Sequence, residues 1–187
     1  MKHFLLCILL CSATLSATAQ KSYKGNGPDD VLQFVPLVAA YTLKVCGIES
    51  ASSWKRMAIN TGVSLAIVTG TDLILKHSIH KTRPDGTDRK SFPSGHTATA
   101  FAGATILCKE FGHVSPWIAV SGYAAATAVG IDRVRLHRHD WADVAAGAAI
   151  GTGMTFLGYW IGDKLTGERS RYSVSANEYG LCFSYRL

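Results

Sequence analysis

The sequence predicts an all-α bundle of about five membrane-spanning helices in a single domain. Hydrophobic residues make up 48% of the 187 residues, and 18 residues are glycine. This composition is more apolar and richer in glycine than that of an ordinary soluble enzyme. Four of the apolar stretches carry almost no charge on any face, which disfavours a soluble helical bundle. The predicted helices cover residues 31–48, 57–75, 94–107, 116–131 and 141–161.

Small residues recur four positions apart within these stretches, as in Gly95, Thr99 and Gly103 or in Gly147 and Gly151. In a bilayer this spacing lets helix backbones pack closely. The pattern therefore favours a tightly packed membrane bundle.

The amino terminus has the pattern of a secretory signal peptide over residues 1–19. Lys2 gives it a basic start, residues 4–10 are apolar, and Ala17 and Ala19 frame an A-x-A cleavage site. The apolar run is short for a membrane span. Cleavage is therefore favoured over the alternative, in which this segment stays as a first membrane helix.

The first two helices of the mature chain are predicted at residues 31–48 and 57–75. Lys44 interrupts the first helix, and its side chain can reach a membrane interface. Asp72 is the one charged residue of the second helix. An acid at membrane depth is a candidate functional residue. An ion pair between Asp72 and a neighbouring lysine or arginine is at least as good an interpretation.

The remaining helices have clear start signals. Pro93 ends a hydrophilic loop, and Ser94 is a favourable N-cap for the third helix. Pro116 suits the first position of the fourth helix, and Trp141 begins the fifth. Together the helices give a predicted membrane domain over residues 31–162.

Residues 163–187 form a predicted tail. From Tyr179 to Leu187, apolar side chains alternate with polar or small ones, as in a strand. A turn over residues 177–180 would pair this strand with residues 171–176 in a short hairpin. An isolated hairpin is marginal in water, so this one needs the helices, the membrane surface or a partner for support.

The formal net charge is +6. A basic balance is typical of proteins that bind nucleic acid, an anionic bilayer surface or an anionic substrate. No nucleic-acid-binding motif accompanies the charge, and the arginines lie near histidine and glycine residues. The charge therefore favours a phosphorylated substrate over nucleic acid.

Three polar clusters supply fixed cations and an anion-binding turn. Lys76, Arg83 and Arg133 are cations suited to surrounding the oxygens of a phosphoryl group. Ser94 and Gly95 open a helix, where backbone N–H groups and the helix dipole favour an anion. Alone, each cation is better explained as an interfacial residue. Together they predict a phosphate site.

Two histidines and a carboxylate complete the set. His139 and Asp143 are four residues apart, so they share a helix face. A carboxylate on one ring nitrogen fixes the tautomer and leaves the other nitrogen free to attack phosphorus. His96 is the candidate general acid for the leaving oxygen. The alternative interpretation is a metal site, whose ligands would be His137, His139, Asp140 and Asp143.

These clusters resemble the three signature motifs of the type 2 phosphatidic acid phosphatase family, which shares its site with the vanadium haloperoxidases. The family pattern is Lys-x6-Arg-Pro, then Pro-Ser-Gly-His, then Ser-Arg-x5-His-x3-Asp. The first two motifs match in full at residues 76–84 and 93–96. The third matches except that Asp132 stands where the family has serine. The resemblance covers roughly residues 57–162.

The resemblance implies a metal-independent lipid phosphatase that needs no cofactor and works through a phosphohistidine. By likeness, His139 is the nucleophile, Asp143 orients it and His96 protonates the leaving group. The implied phosphate-binding residues are Lys76, Arg83, Ser94, Gly95 and Arg133. Family substrates include phosphatidate, phosphatidylglycerol phosphate, undecaprenyl diphosphate and lipid A phosphates. The alternatives are a metal-dependent hydrolase, a vanadate-dependent oxidant or a non-catalytic membrane protein that binds anionic lipid.

Counting spans predicts the orientation in a bacterial-type inner membrane. If the mature amino terminus is exported, the loop over residues 76–93 and the link over residues 132–140 both face outward. A retained signal helix gives the same result. All three clusters then lie on the periplasmic or outer face. The distribution of lysine and arginine does not clearly support this orientation, since residues 76–93 are themselves basic.

Overall fold

The computed structural model describes residues 29–167 and the backbone of residues 172–177 and 180–185. The predicted signal peptide lies outside the described residues. The helices are α1 (Asp29–Leu32), α2 (Val35–Val45), α3 (Trp54–Ser78), α4 (Gly95–Phe111), α5 (Pro116–Arg135) and α6 (Trp141–Thr166), and the strands are β1 (Tyr172–Asn177) and β2 (Gly180–Tyr185).

The predicted all-α bundle is confirmed, with small differences at the helix ends. Each predicted stretch forms a helix, and α5 and α6 begin at the predicted residues, Pro116 and Trp141. The first stretch differs, because a turn at residues 33–34 divides it into α1 and α2. α6 continues to Thr166, where Gly167 ends it in a left-handed conformation (φ 68°).

α4 is the central helix, and it contacts all five other helices. Its small side chains make this possible, since Ala98, Ala100, Ala102 and Ala104 are all fully buried. α6 approaches α4 closely at Gly147, where an added Cβ would lie 2.5 Å from the carbonyl oxygen of Ser94. The predicted small-residue spacing therefore sets the distance between helix backbones, as it does in membrane bundles.

Within the part of the chain that the structure describes, two helices, α3 and α6, are long and apolar enough to cross a membrane. Large apolar side chains on their outer surfaces are exposed, including Ile74, Phe156 and Trp160. Trp54 and Trp160 lie near one end of the bundle, and Trp141 lies near the other. Tryptophan is enriched at both membrane interfaces, so this distribution suits a bundle with lipid around it.

A buried polar network joins α3, α4 and α6 at the end where α3 begins. Arg56, only 3% exposed, forms two hydrogen bonds of 2.8 and 2.9 Å with Asp163. On the neighbouring helix, Glu110 accepts hydrogen bonds from Ser52 (2.7 Å) and Tyr159 (2.8 Å). Buried charges require such partners. This end of the bundle is therefore fastened by polar contacts.

The predicted carboxyl-terminal hairpin is also confirmed. β1 and β2 pair antiparallel, with Asn177 opposite Gly180 at one end of the pairing and Tyr172 opposite Tyr185 at the other.

Candidate active site

The predicted site residues meet at one end of the bundle. α3 and α5 end there, α4 and α6 begin there, and the loop at residues 79–94 and the link at residues 136–140 cover that end. The predicted catalytic and phosphate-binding residues all lie at this end: Lys76, Arg83, Ser94, Gly95, His96, Arg133, His139 and Asp143.

The ring of His139 is held by the loop that precedes α4. His139 is 3% exposed, and its Nδ1 lies 2.7 Å from the carbonyl oxygen of Ser91. A carbonyl oxygen only accepts hydrogen bonds, so Nδ1 carries the proton in this contact. Nε2 is then the nitrogen with a free lone pair. This tautomer is the one that a histidine attacking through Nε2 would require.

Asp143 is fully buried beside His139, but it is not the direct hydrogen-bond partner of the ring. Its Oδ2 lies 3.8 Å from Nδ1 of His139. The carboxylate instead accepts hydrogen bonds from the Ser91 hydroxyl (2.5 Å) and from Nζ of Lys81 (2.7 Å). Ser91 thus contacts both residues, through its carbonyl and its hydroxyl. The carbonyl fixes the tautomer, and Asp143 supplies a nearby negative charge.

A capping box and a lysine fix the position of Asp143. Its backbone N–H donates to Oδ1 of Asp140 (3.0 Å), and its side chain accepts from the Asp140 N–H (3.2 Å). Lys81 pairs with both Asp140 and Asp143. The cation therefore occupies the space between the two carboxylates of the alternative metal site. Among residues 29–167, no three His, Cys, Asp or Glu side chains come together as a metal-binding group.

Burial lowers the pKa of His139 to about 4, and the nearby guanidinium groups of Arg83 and Arg133 act in the same direction. The Ser91 carbonyl and Asp143 oppose this shift. Because the pKa lies well below 7, the ring is neutral at physiological pH. The two arginines that lower it are also two of the predicted phosphate-binding cations.

We predict that substrate-free His139 stays neutral until the pH falls to about 4. A histidine in an unfolded chain takes up its proton near pH 6.5, so the folded site keeps the His139 ring unprotonated through the whole range between the two values. The measurement is an NMR titration of ring-labelled histidines, with the His139 signal assigned by its loss in His139→Gln. A midpoint at or above 6.5 would contradict this picture of the site.

Lys76 lies against the start of α4. Its Nζ is 2.7 Å from Oδ2 of Asp72, which confirms the expected ion pair of that acid. An added Cβ at Gly95 would lie 2.9 Å from the same Nζ. A side chain at residue 95 would therefore make the flexible end of Lys76 shift away from the start of α4.

Ser94 begins α4 but does not cap it with its side chain, which differs from the expectation for an N-cap serine. Its hydroxyl lies 2.9 Å from that of Thr97, and its backbone N–H donates to the carbonyl of Asp143 at 3.0 Å. The second and third motifs are therefore joined directly, which places the start of α4 beside the start of α6.

Ion pairs hold Arg83 and the loop at residues 79–94 in position. Its Nε donates to Oδ1 of Asp88 at 2.8 Å, and Arg138 pairs with Asp85 at 3.0 Å. Arg133 reaches the site from the last turn of α5 and is 3% exposed. Both arginines are close enough to His139 to lower its pKa, so two of the predicted phosphate-binding cations lie near this ring.

His96 borders a cavity of about 230 Å³ between α3 and α4. Lys76 and Gly95 line the same cavity, together with Gln33 and Thr69. Nε2 of His96 lies 2.7 Å from Oδ1 of Asp30 in α1. A general-acid candidate and two phosphate-binding candidates thus share one open space, large enough for part of a head group.

Three contacting residues were not predicted from the sequence: Lys81, Ser91 and Asp30. Lys81 and Ser91 meet because the backbone N–H of Ser91 donates to the Lys81 carbonyl at 3.0 Å. That pairing closes the loop, and no local pattern marks it. Asp30 comes from a polar segment that reads as an ordinary loop. Of the three, only Lys81 had a signal in the sequence, because it is a basic residue inside the first motif.

The fold and the site define an α-helical membrane bundle with a histidine and cations gathered at one end. The sequence profile of the PAP2 superfamily matches residues 57–166 of the chain. The protein belongs to the PAP2 superfamily.

Two relatives show how far the similarity extends. The "Lipid A 1-phosphatase" of Porphyromonas gingivalis is 42% identical over 146 residues, which cover 78% of this chain and 33% of that protein. "Lipid phosphate phosphatase 1" of Arabidopsis thaliana is 47% identical over 74 residues, or 34% of this chain and 23% of that one. The chain therefore spans about a third of the length of the first relative and less of the second.

A solved structure supports the fold. The crystal structure of Aquifex aeolicus LpxE aligns with a TM-score of 0.54 and 21% identity, covering 72% of this chain and 87% of that one. At this identity the likeness concerns the fold alone. It agrees with the all-α membrane bundle seen here.

Proposed function

We propose that this protein is a metal-independent membrane phosphatase that hydrolyses a lipid phosphate through a phosphohistidine on His139. The observation that carries the proposal is the state of that ring. Nδ1 is bonded to the Ser91 carbonyl at 2.7 Å, and the pKa is lowered to about 4. The result is a buried neutral imidazole with the guanidinium groups of Arg83 and Arg133 nearby. Membership of the PAP2 superfamily supports it.

The reaction runs in two transfers. Nε2 of His139 attacks phosphorus, and the bond between phosphorus and the leaving oxygen breaks as His96 gives that oxygen a proton. Water then attacks phosphorus and releases His139, while His96 takes a proton from the water. Lys76, Arg83 and Arg133 and the start of α4 hold the phosphoryl oxygens. Asp143 and Ser91 stabilise the imidazole ring as it gains positive charge.

A lipid phosphate suits the surroundings of the site. The site lies at the ends of the helices, where a head group stays near water and its chains lie against apolar helix surfaces. A phosphate buried deeper would be costly in hydrocarbon. The names of the relatives support this substrate class. Candidates are lipid A phosphates, undecaprenyl diphosphate, phosphatidylglycerol phosphate and phosphatidate.

The test is phosphate release by purified protein from a panel of these lipids, with and without a chelator. We expect turnover of at least one lipid, no loss in chelator, and inhibition by vanadate as a five-coordinate mimic of the transferring phosphate. Loss in chelator that one metal restores would support a metal-dependent hydrolase instead. Lipid binding without any turnover would support a non-catalytic binder.

We further propose that the site faces the periplasm or cell exterior of an inner membrane, from span counting. The test uses a matched pair of lysine-to-cysteine changes in a chain whose own cysteines are replaced by serine. Lys90 is exposed in the loop at residues 79–94, here called the site loop, and Lys55 is exposed at the other end of the bundle. A membrane-impermeant thiol reagent on spheroplasts is expected to label Lys90→Cys and spare Lys55→Cys. The reverse labelling would place the site in the cytoplasm.

A further inference from the structure

The candidate general acid has a carboxylate partner of its own. Oδ1 of Asp30 lies 2.7 Å from Nε2 of His96, so the carboxylate accepts a hydrogen bond from Nε2–H. The side chain of His96 is 25% exposed and that of Asp30 is 40% exposed. No other hydrogen bond of the His96 ring occurs among the described residues. Nδ1 is therefore the nitrogen left to face a leaving oxygen.

Helix packing places Asp30 beside His96. α1 contacts both α4 and α5, and Leu32 packs against a buried cluster that includes Ala100 and Ala126. The Gln33 side chain donates to the carbonyl of Asp30 at 2.8 Å, which closes the turn after it. Asp30 lies outside residues 57–166, the part that matches the superfamily profile. The contact is thus a feature of this chain's amino-terminal segment.

We propose that Asp30 is a positioning residue that keeps the proton on Nε2 of His96, so that Nδ1 performs the proton transfers. This inference rests on the proposed function. When the phosphorus–oxygen bond breaks, Nδ1–H gives its proton to the leaving oxygen and the ring becomes neutral with Nε2–H intact. In the second transfer, Nδ1 takes a proton from the attacking water, and the ring returns to its cationic form. Asp30 accepts from Nε2–H throughout.

Each histidine of the site therefore has a fixed tautomer, by a different device. The buried His139 is held by a backbone carbonyl, whereas the half-buried His96 is held by a carboxylate. Solvent weakens this pair because both side chains are partly exposed. The expected contribution is accordingly smaller than that of His96 itself.

The experiment is a double-mutant cycle of Asp30→Ala and His96→Ala, measured as kcat/KM on a lipid phosphate and on an aryl phosphate. The aryl leaving group needs no proton. We expect Asp30→Ala to lower kcat/KM for the lipid about 10-fold, the size of one hydrogen bond to a charged group, and for the aryl phosphate less than about 2-fold. In the His96→Ala background, Asp30→Ala should cause no further loss.

The Asp30→Asn variant is the matched control for size. It keeps an acceptor oxygen and should therefore lose less than Asp30→Ala. Equal losses on both substrates, or a loss that persists without His96, would show a merely structural role and overturn the proposal. Wild-type activity in Asp30→Ala would also overturn it while leaving the proposed function intact. Absence of turnover in the wild-type protein would instead contradict the proposed function and this inference with it.

Discussion

Replacing His139 with alanine is expected to lower kcat/KM by at least about 10⁴-fold, because loss of a catalytic nucleophile removes the covalent path altogether. The ring is neutral, buried and held through Nδ1 by the Ser91 carbonyl. None of the neighbouring side chains can replace an imidazole Nε2 at this position. The measurement is steady-state phosphate release on the best lipid of the panel.

The matched control is His80→Ala, which removes an exposed histidine from the site loop. This change should leave kcat/KM within about 2-fold, the usual small effect of a surface substitution. Both variants must keep the wild-type content of helix by circular dichroism. Activity of His139→Ala close to that of the wild-type protein would rule out His139 as the nucleophile.

Replacing His96 with alanine is expected to slow transfer from a lipid phosphate by about 10²- to 10⁴-fold, the range typical of a positioned proton donor. The loss of kcat/KM on an aryl phosphate should be much smaller, since an aryl oxide leaves without a proton. The difference between the two losses tests whether His96 donates a proton. The comparison uses kcat/KM because this constant reports the first transfer alone.

Two results would change the role given to His96. An equal loss on both substrates would mean that His96 binds the phosphate and does not donate a proton. A rise in KM with unchanged kcat would lead to the same conclusion. His96 would then join Lys76 and Gly95, which line the same cavity, as a binding residue.

The sequence was sufficient to predict the helices and the residues gathered at the site. Long apolar stretches set the helices, and Pro116 and Trp141 mark two helix starts that the structure confirms. The site residues could be recognised because their chemistry depends on residue types at fixed spacings, such as the four-residue interval between His139 and Asp143. Helical periodicity alone puts such a pair on one face.

The contacts that hold the site could not be predicted in the same way. The Asp143 carboxylate was expected on the His139 ring, but the Ser91 carbonyl occupies that place and the carboxylate turns to Ser91 Oγ and Lys81. These contacts depend on how a loop of irregular backbone closes. The position of Asp30 depends on the packing of Leu32 on distant helices. Such long-range contacts leave no periodic signal in a single sequence.

The most direct test of the central claim is to trap the phosphorylated enzyme in His96→Ala, with an aryl phosphate labelled in its phosphate. Formation of the phosphohistidine needs no proton donor with this substrate, whereas its hydrolysis has lost the base that activates water. The intermediate should therefore accumulate, be stable in alkali and labile in acid, and map to the peptide that contains His139. Label on another residue, or full phosphate release with no protein-bound label at any time, would contradict the account.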